Sequence, residues 1–190
     1  MQILSFTVET FSMRRLIGLV LTIYPLLSWG QEIAPPRPSP AAIVSSKYKD
    51  TYLKITYCQP QRKGRPIFGS VVPFGKVWRT GANEATELTI TRDVKINNFD
   101  LKAGTYSLFT IPDKEKWTII INGELGLWGA YNYNDKADIL RFDVPVTMLK
   151  DVVYEPFTIW VDQKNDKADL RMAWDNVTVI IPIQFLEPKS

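Results

Sequence analysis

Residues 103–123 read AGTYSLFTIPDKEKWTIIING. Residues 105–111 and 117–121 are two runs rich in β-branched and aromatic side chains, which fit a pleated, half-buried surface. The loop between them, 112–116, is short and charged, so the two runs are expected to pair antiparallel. Asn122-Gly123 ends the second run with a turn signal. Trp117-Thr118-Ile119-Ile120-Ile121 is apolar on both faces, which places that strand at the centre of a sheet.

The same alternation extends in both directions from this hairpin. Upstream, Leu53, Ile55 and Tyr57 share one face of the run 52–57, and Leu88 and Ile90 share one face of 87–91. Residues 94–96 meet Asn97-Asn98, a hairpin signal because asparagine tolerates positive φ. Downstream lie runs at 139–144, 157–161, 170–174 and 177–183, the last two separated by Asp175-Asn176. Asn176-Val177-Thr178 matches a glycosylation acceptor and is read as the tip of that hairpin. Short helical turns are expected at 67–71 and 147–149. No helix-length segment separates the strands, which argues against parallel crossovers. The expected fold is all-β: a single antiparallel β-sandwich or flattened barrel of about eight or nine strands, with short helical turns only.

The chain of 190 residues is 45% hydrophobic, enough to build one sizeable core. A net charge of +3 without long basic runs does not point to nucleic acid. Histidine is absent, which excludes Ser-His-Asp and Cys-His catalysis and the usual base near neutral pH. Cys58 is the single cysteine, so no intramolecular disulfide forms. No cofactor and no metal is expected.

Near the N-terminus, Met13-Arg14-Arg15 precedes an apolar stretch over 16–27, followed by Ser28 and Gly30. A basic pair, a short apolar run and small residues make a secretory signal pattern, with cleavage expected after Gly30. The apolar run is short for a membrane anchor and contains Pro25. Translation is expected to start at Met13, since Glu9 is out of place in a signal. Residues 31–42 carry Pro35, Pro36, Pro38 and Pro40 and read as an extended linker. The expected organisation is therefore signal peptide 1–30, linker 31–42 and β domain 43–186, the product being periplasmic or secreted with no span left after cleavage.

One segment does not read as scaffold. Residues 63–86 hold four glycines and two prolines, yet also Arg65, Lys76, Trp78, Arg79, Asn83 and Glu84. Loops that join rigid turns to aromatic and charged groups are common binding surfaces. A second such loop is Leu127-Trp128-Gly129-Ala130-Tyr131-Asn132-Tyr133. Arg79, Asn83 and Glu84 have two open readings: ligand contacts, or a structural clasp in which Arg79 pairs with Glu84 and Asn83 bonds loop backbone. Trp78, Trp128, Tyr131 and Tyr133 likewise form either a stacking platform for a sugar ring or part of the core. Glu84 with Asp135 or Asp138 is the candidate catalytic pair for a carboxylate-only hydrolase, although no residue is assigned as catalytic. Asn132, Asn134, Asp135 and Asp138 read as a solvated loop rather than a calcium site. Cys58, ending an apolar strand, reads as a buried thiol.

These stretches resemble the domain-of-unknown-function 2911 family, exported proteins of Bacteroidetes-type bacteria. The resemblance covers about 39–183. It is carried by Lys63-Gly64-Arg65, Ile67-Phe68-Gly69, Val72-Pro73, the run from Gly75 to Thr86, the run from Ala103 to Pro112 and the run from Trp128 to Tyr133. Two positions depart from the family pattern: Phe74 stands where a tyrosine is expected, and Cys58-Gln59 where a small residue and an arginine are expected. The resemblance implies an exported bacterial β domain and implies no activity. The leading expectation is a non-enzymatic binding or accessory module for an unidentified polar small molecule or glycan. Arg65, Lys76, Trp78, Arg79, Asn83, Glu84, Trp128, Tyr131 and Tyr133 are its contact candidates. The alternatives are a carboxylate-dependent hydrolase acting on glycan or ester, and a structural or envelope-interaction protein.

Overall fold

In-out alternation of side chains gives each segment one apolar face, and such a face is stable only when another covers it. The computed structural model describes residues 36–187 and solves this with strands. They are β1 (Ala41–Tyr48), β2 (Thr51–Cys58), β3 (Thr86–Ile90), β4 (Val94–Ile96), β5 (Phe99–Leu101), β6 (Gly104–Pro112), β7 (Lys116–Asn122), β8 (Asp138–Met148), β9 (Tyr154–Lys164), β10 (Lys167–Asp175) and β11 (Val177–Phe185). All lie in the unit that begins at Arg37. The expected signal peptide and the first residues of the expected linker fall outside the described residues.

Nine strands form one antiparallel path in the order β1-β2-β3-β6-β7-β8-β11-β10-β9. The path ends come close together: Ser46 on β1 donates to the Gln163 side chain on β9, and Gln163 Nε2 donates to Lys47 O at 3.2 Å. The sheet is thus a nearly closed barrel, the second of the two architectures that alternation allows. The joint lies in β8. Its first part, through Pro145, pairs with β7, and its last residues, Val146–Met148, pair with β11. The β4–β5 hairpin attaches to the far end of β11.

The turn chemistry explains the register. Asn97 and Asn98 both adopt positive φ between Ile96 and Phe99, as the hairpin signal requires. Asp175 does the same before Asn176. Trp174 and Val177 pair across that turn. The two expected helical turns do not form. Thr147 keeps its ladder partner Thr178 in β11, and Ile67 to Val72 closes instead through a Val72 N–H to Ile67 O bond of 2.9 Å. A 3-10 turn occurs at Asp135–Ala137, where the Asn134 side chain accepts from Lys136 N and caps it.

The barrel interior is one apolar core, with Leu53, Ile55, Leu108, Trp117, Ile119, Phe157, Leu170 and Trp174 all fully buried. Burying each such side chain contributes about 1.5–3 kcal/mol. β7 sits in the middle of the path, as its two apolar faces demand. Its outward residue Ile120 joins Phe109 and Ala85 in a second, small cluster outside the barrel. Val77, Leu127, Ala130 and Tyr133 cover that cluster. An apolar outer face on β6 and β7 thus draws two loops, distant in sequence, onto the same wall of the barrel. Among the described residues, no helix is long and apolar enough to cross a membrane.

Candidate functional site

The 63–86 loop is fastened at several points before it presents any side chain. Phe157 N–H reaches Pro60 O at 2.9 Å, tying its start to β9, and Gly75 N–H reaches Pro112 O at 2.9 Å, tying its middle to β6. Trp78 then makes a reciprocal pair with Thr110, at 2.7 and 2.9 Å. It prolongs the sheet beyond Leu108, the last residue of β6 that β3 covers.

The segment from Arg79 to Thr86 is drawn tight around this point. Thr86 N–H bonds Arg79 O at 3.1 Å, and Ala82 N–H bonds Cys58 O at 3.1 Å. A Cβ at Gly81 would lie 2.9 Å from Cys58 O, so only glycine allows the loop so close to β2. Thr80 is fully buried and sits at φ 55°. That is the left-handed region, which a β-branched residue seldom enters. Its neighbours hold it there. Thr80 Oγ1 donates to Thr110 Oγ1 at 3.1 Å, and Thr86 Oγ1 donates to Thr80 O at 2.7 Å. Strain of this kind costs about 1–3 kcal/mol and persists where the surroundings over-determine it. The second loop is bonded to the first: Ala85 N–H to Leu127 O at 2.8 Å and Gly129 N–H to Asn83 O at 2.9 Å.

The two loops together enclose a cleft of about 550 Å³. Six of the nine sequence candidates line it: Arg65, Lys76, Trp78, Arg79, Asn83 and Tyr131. Trp174 on β10 also lines it and stacks on Trp78, centroids 5.9 Å apart at 18°. Trp78 is nonetheless a core residue, with Trp117 and Phe157 against it edge-on and its Nε1 donating to Gly81 O at 3.0 Å. Tyr131 is 82% exposed and stands at the rim. Arg65 is braced by its own loop, Nε donating to Arg62 O at 3.0 Å and Nη2 to Gln61 O at 2.7 Å. Asn83 Nδ2 donates to Ser39 O at 3.2 Å.

The remaining three candidates lie elsewhere. Tyr133 turns towards the outer cluster, packs edge-on against Phe109 and donates to Asp138 Oδ2 at 2.6 Å. Burial, reinforced by that carboxylate, pushes its phenol well above the ordinary range. Trp128 is exposed and pairs its backbone with Glu84. Glu84 faces a smaller pocket with Arg37 and Cys58. Arg37 Nη1 donates to Glu84 Oε1 at 2.7 Å, which holds this carboxyl below the usual range. The Cys58 thiol is buried and donates to Glu84 Oε2 at 3.3 Å. Burial pushes its pKa up, and the Glu84 carboxylate adds to the rise.

The clasp expected between Arg79 and Glu84 therefore does not form. Glu84 takes Arg37 from the proline-rich approach to β1, a residue that read as featureless linker. The Asn83 side chain bonds not the loop's own backbone, as the clasp required, but Ser39 O in the approach to β1. Arg79 has no carboxylate partner among the described residues, and its buried Nε has no acceptor. Among the described residues, no group of three or more Cys, Asp or Glu is arranged to hold a metal ion. Trp174 was hidden as a cleft residue because its run reads as ordinary strand. Its position beside the Asp175-Asn176 turn, at a strand end, was the available hint.

A family profile described as protein of unknown function (DUF2911) matches residues 39–183. No curated protein and no solved structure matches the chain.

Proposed function

The chain belongs to the DUF2911 family, proteins of unknown function, and from that footing we propose that its β domain is an exported, non-enzymatic binding module for a polar small molecule or glycan. The observation that carries this reading is convergence. Six polar or aromatic side chains from two loops separated by some fifty residues line one cleft. The loops reach it on a rigid barrel wall, through backbone bonds that fix their mutual register. A mostly pre-formed concave site with a few polar groups over apolar walls is the usual form of a small-molecule site. The hydrolase reading needs a close pair of carboxylates. Glu84 instead spends both oxygens on Arg37 and Cys58, and Asp138 accepts from Asn122 and Tyr133.

The test is the melting temperature of the chain against a panel of glycans, nucleotides, carboxylates and divalent metals. A ligand that binds only the folded state adds about 2.7 kcal/mol at a hundred times its dissociation constant. A shift that disappears in Arg79→Lys supports the cleft as the site. No shift from any compound refutes the binding reading and favours an envelope-interaction role, for which the exposed Trp128 and Tyr131 would be the first surface to examine.

A further inference from the structure

About half of the charged side chains among the described residues are ion-paired. Arg62 pairs with Asp175, Arg171 with Asp162 and Asp169, Lys95 with Asp100, and Lys116 with Asp143. The cleft gathers three cations that are not ion-paired. Arg65, Lys76 and Arg79 line it, and no aspartate or glutamate does. None of the three has a carboxylate partner among the described residues. Three cations around one concavity repel each other, and low-dielectric walls strengthen the repulsion relative to open surface. An arrangement of this kind is relieved by an anion that enters it.

The side chains are also prepared for one. Arg65 spends Nε and Nη2 on two backbone carbonyls, so its guanidinium is held in place with further N–H groups left over. A braced guanidinium loses less entropy on binding than a free one. Arg79 has a buried Nε donor with no acceptor among the described residues, and a buried donor favours a partner that satisfies it. It follows directly on the backbone pair of Trp78 and precedes the strained Thr80, so its Cα is held from both sides. Gly129 lies beside it, and its missing Cβ makes room for the Tyr131 ring. A Cβ there would lie 3.5 Å from Arg79 Nη1 and 2.7 Å from the Tyr131 ring.

Apart from Ser39 and Asn83 the rest of the lining is apolar, with Val72, Pro73 and Ala130 above the buried Trp78 and Trp174, and the exposed Tyr131 ring stands at the rim. A bare inorganic ion would use the cations and leave these surfaces idle. Building on the cleft as the binding site proposed above, we infer that its ligand is an organic oxyanion carried on a ring: a carboxylate, phosphate or sulfate that meets Arg79, Arg65 and Lys76, on a sugar-sized body that lies against the apolar lining and the exposed Tyr131 ring.

The experiment is calorimetric titration of the full chain with glucose, glucuronate, glucose 6-phosphate and inorganic phosphate, at about 20 mM and about 200 mM salt. Glucuronate and glucose 6-phosphate are expected to bind about tenfold or more tighter than glucose, because charge-assisted bonds are roughly twice as strong as neutral ones. The stronger of the two tells carboxylate from phosphate. Their affinity is expected to fall at the higher salt, and Arg79→Gln to lose about tenfold or more. Lys76→Gln and Arg65→Gln, both at exposed positions, serve as variants that leave the fold intact and are expected to weaken the acids but not glucose. Glucose binding as tightly as its acids overturns the oxyanion inference and leaves the binding module standing. Inorganic phosphate binding as tightly as glucose 6-phosphate overturns the ring contact. Acids that bind undiminished by all three substitutions overturn the placement in this cleft. Silence from every compound, here and in the melting panel, overturns both readings.

Discussion

Replacing Arg79 by methionine separates a binding residue from a structural one by the sign of its effect on stability. Arg79 is half-buried and, among the described residues, has no carboxylate partner and no acceptor for its buried Nε–H. A buried donor left unsatisfied costs about 1–3 kcal/mol. Methionine keeps an unbranched apolar stem and removes both the stranded donor and one of the three cleft cations. The ligand-free Arg79→Met protein is therefore expected to be more stable than the parent by about 1 kcal/mol, near the lower end of that range because the side chain is only partly buried. At this chain length, that raises the melting temperature by about 2–4 °C. Arg65→Met is the internal control. Its guanidinium does have acceptors, Arg62 O and Gln61 O, so it is expected to lose about 0.5–1 kcal/mol. Thermal and urea melts of both variants at low salt without ligand decide the matter. A loss of 1 kcal/mol or more in Arg79→Met would falsify the argument, since it would mean that Arg79 is a tie within the fold.

Other substitutions test the scaffold under the cleft. Gly129→Ala puts a Cβ at φ 70° and 2.7 Å from the Tyr131 ring, so a loss of about 1–2 kcal/mol in urea melts is expected, together with a displaced rim. Thr80→Val keeps the shape and the backbone strain but removes the Oγ1 bond to Thr110, and a loss of about 1–3 kcal/mol by denaturation is expected, with an unchanged stability counting against the buried hydroxyl pair. The raised phenol of Tyr133 predicts an alkaline effect. The folded state holds this proton more tightly than the unfolded chain, so its contribution is complete below the ordinary value of 10.0 and is lost as pH rises beyond it. Melts between pH 9 and 11 should fall less steeply in Tyr133→Phe, by the slope of one proton; parallel curves would refute this.

Much of the fold was legible because turn chemistry and alternation agreed. Asn97-Asn98 and Asp175-Asn176 sit where the hairpins turn, and the two-faced apolar run of β7 is central. What alternation does not encode is closure, since a sandwich and a barrel both need one face inward. Closure depends here on β8 changing partners from β7 to β11 and on the meeting of β1 with β9. β1 itself was missed in large part because it is an edge strand without a fully buried residue, its Ile43 facing solvent directly after four prolines. The three-residue β5 was too short to show a period.

The candidate site was legible as composition but not as arrangement. Glycines and prolines among charged and aromatic residues marked the right two loops. Nothing in that pattern tells which of Arg79, Asn83 and Glu84 face each other, because the answer lies in backbone geometry. Positive φ at Thr80 and Asn83 turns the chain twice within four residues. That double turn sends Glu84 towards Arg37 and Cys58 while Arg79 and Asn83 line the cleft. A regular strand through 79–84 would by simple count also have put Arg79 and Asn83 on one face and Glu84 on the other. The positive φ at Thr80 has another geometric consequence: it folds the chain back into the tight turn closed by Thr86 N–H to Arg79 O at 3.1 Å, from which Arg79 and Asn83 line the cleft. Were that loop relaxed, for instance by Thr80→Gly, the reading requires acid-ligand affinity to fall even if stability rises. Equal affinity in the relaxed loop would show that the strain has no part in shaping the cleft.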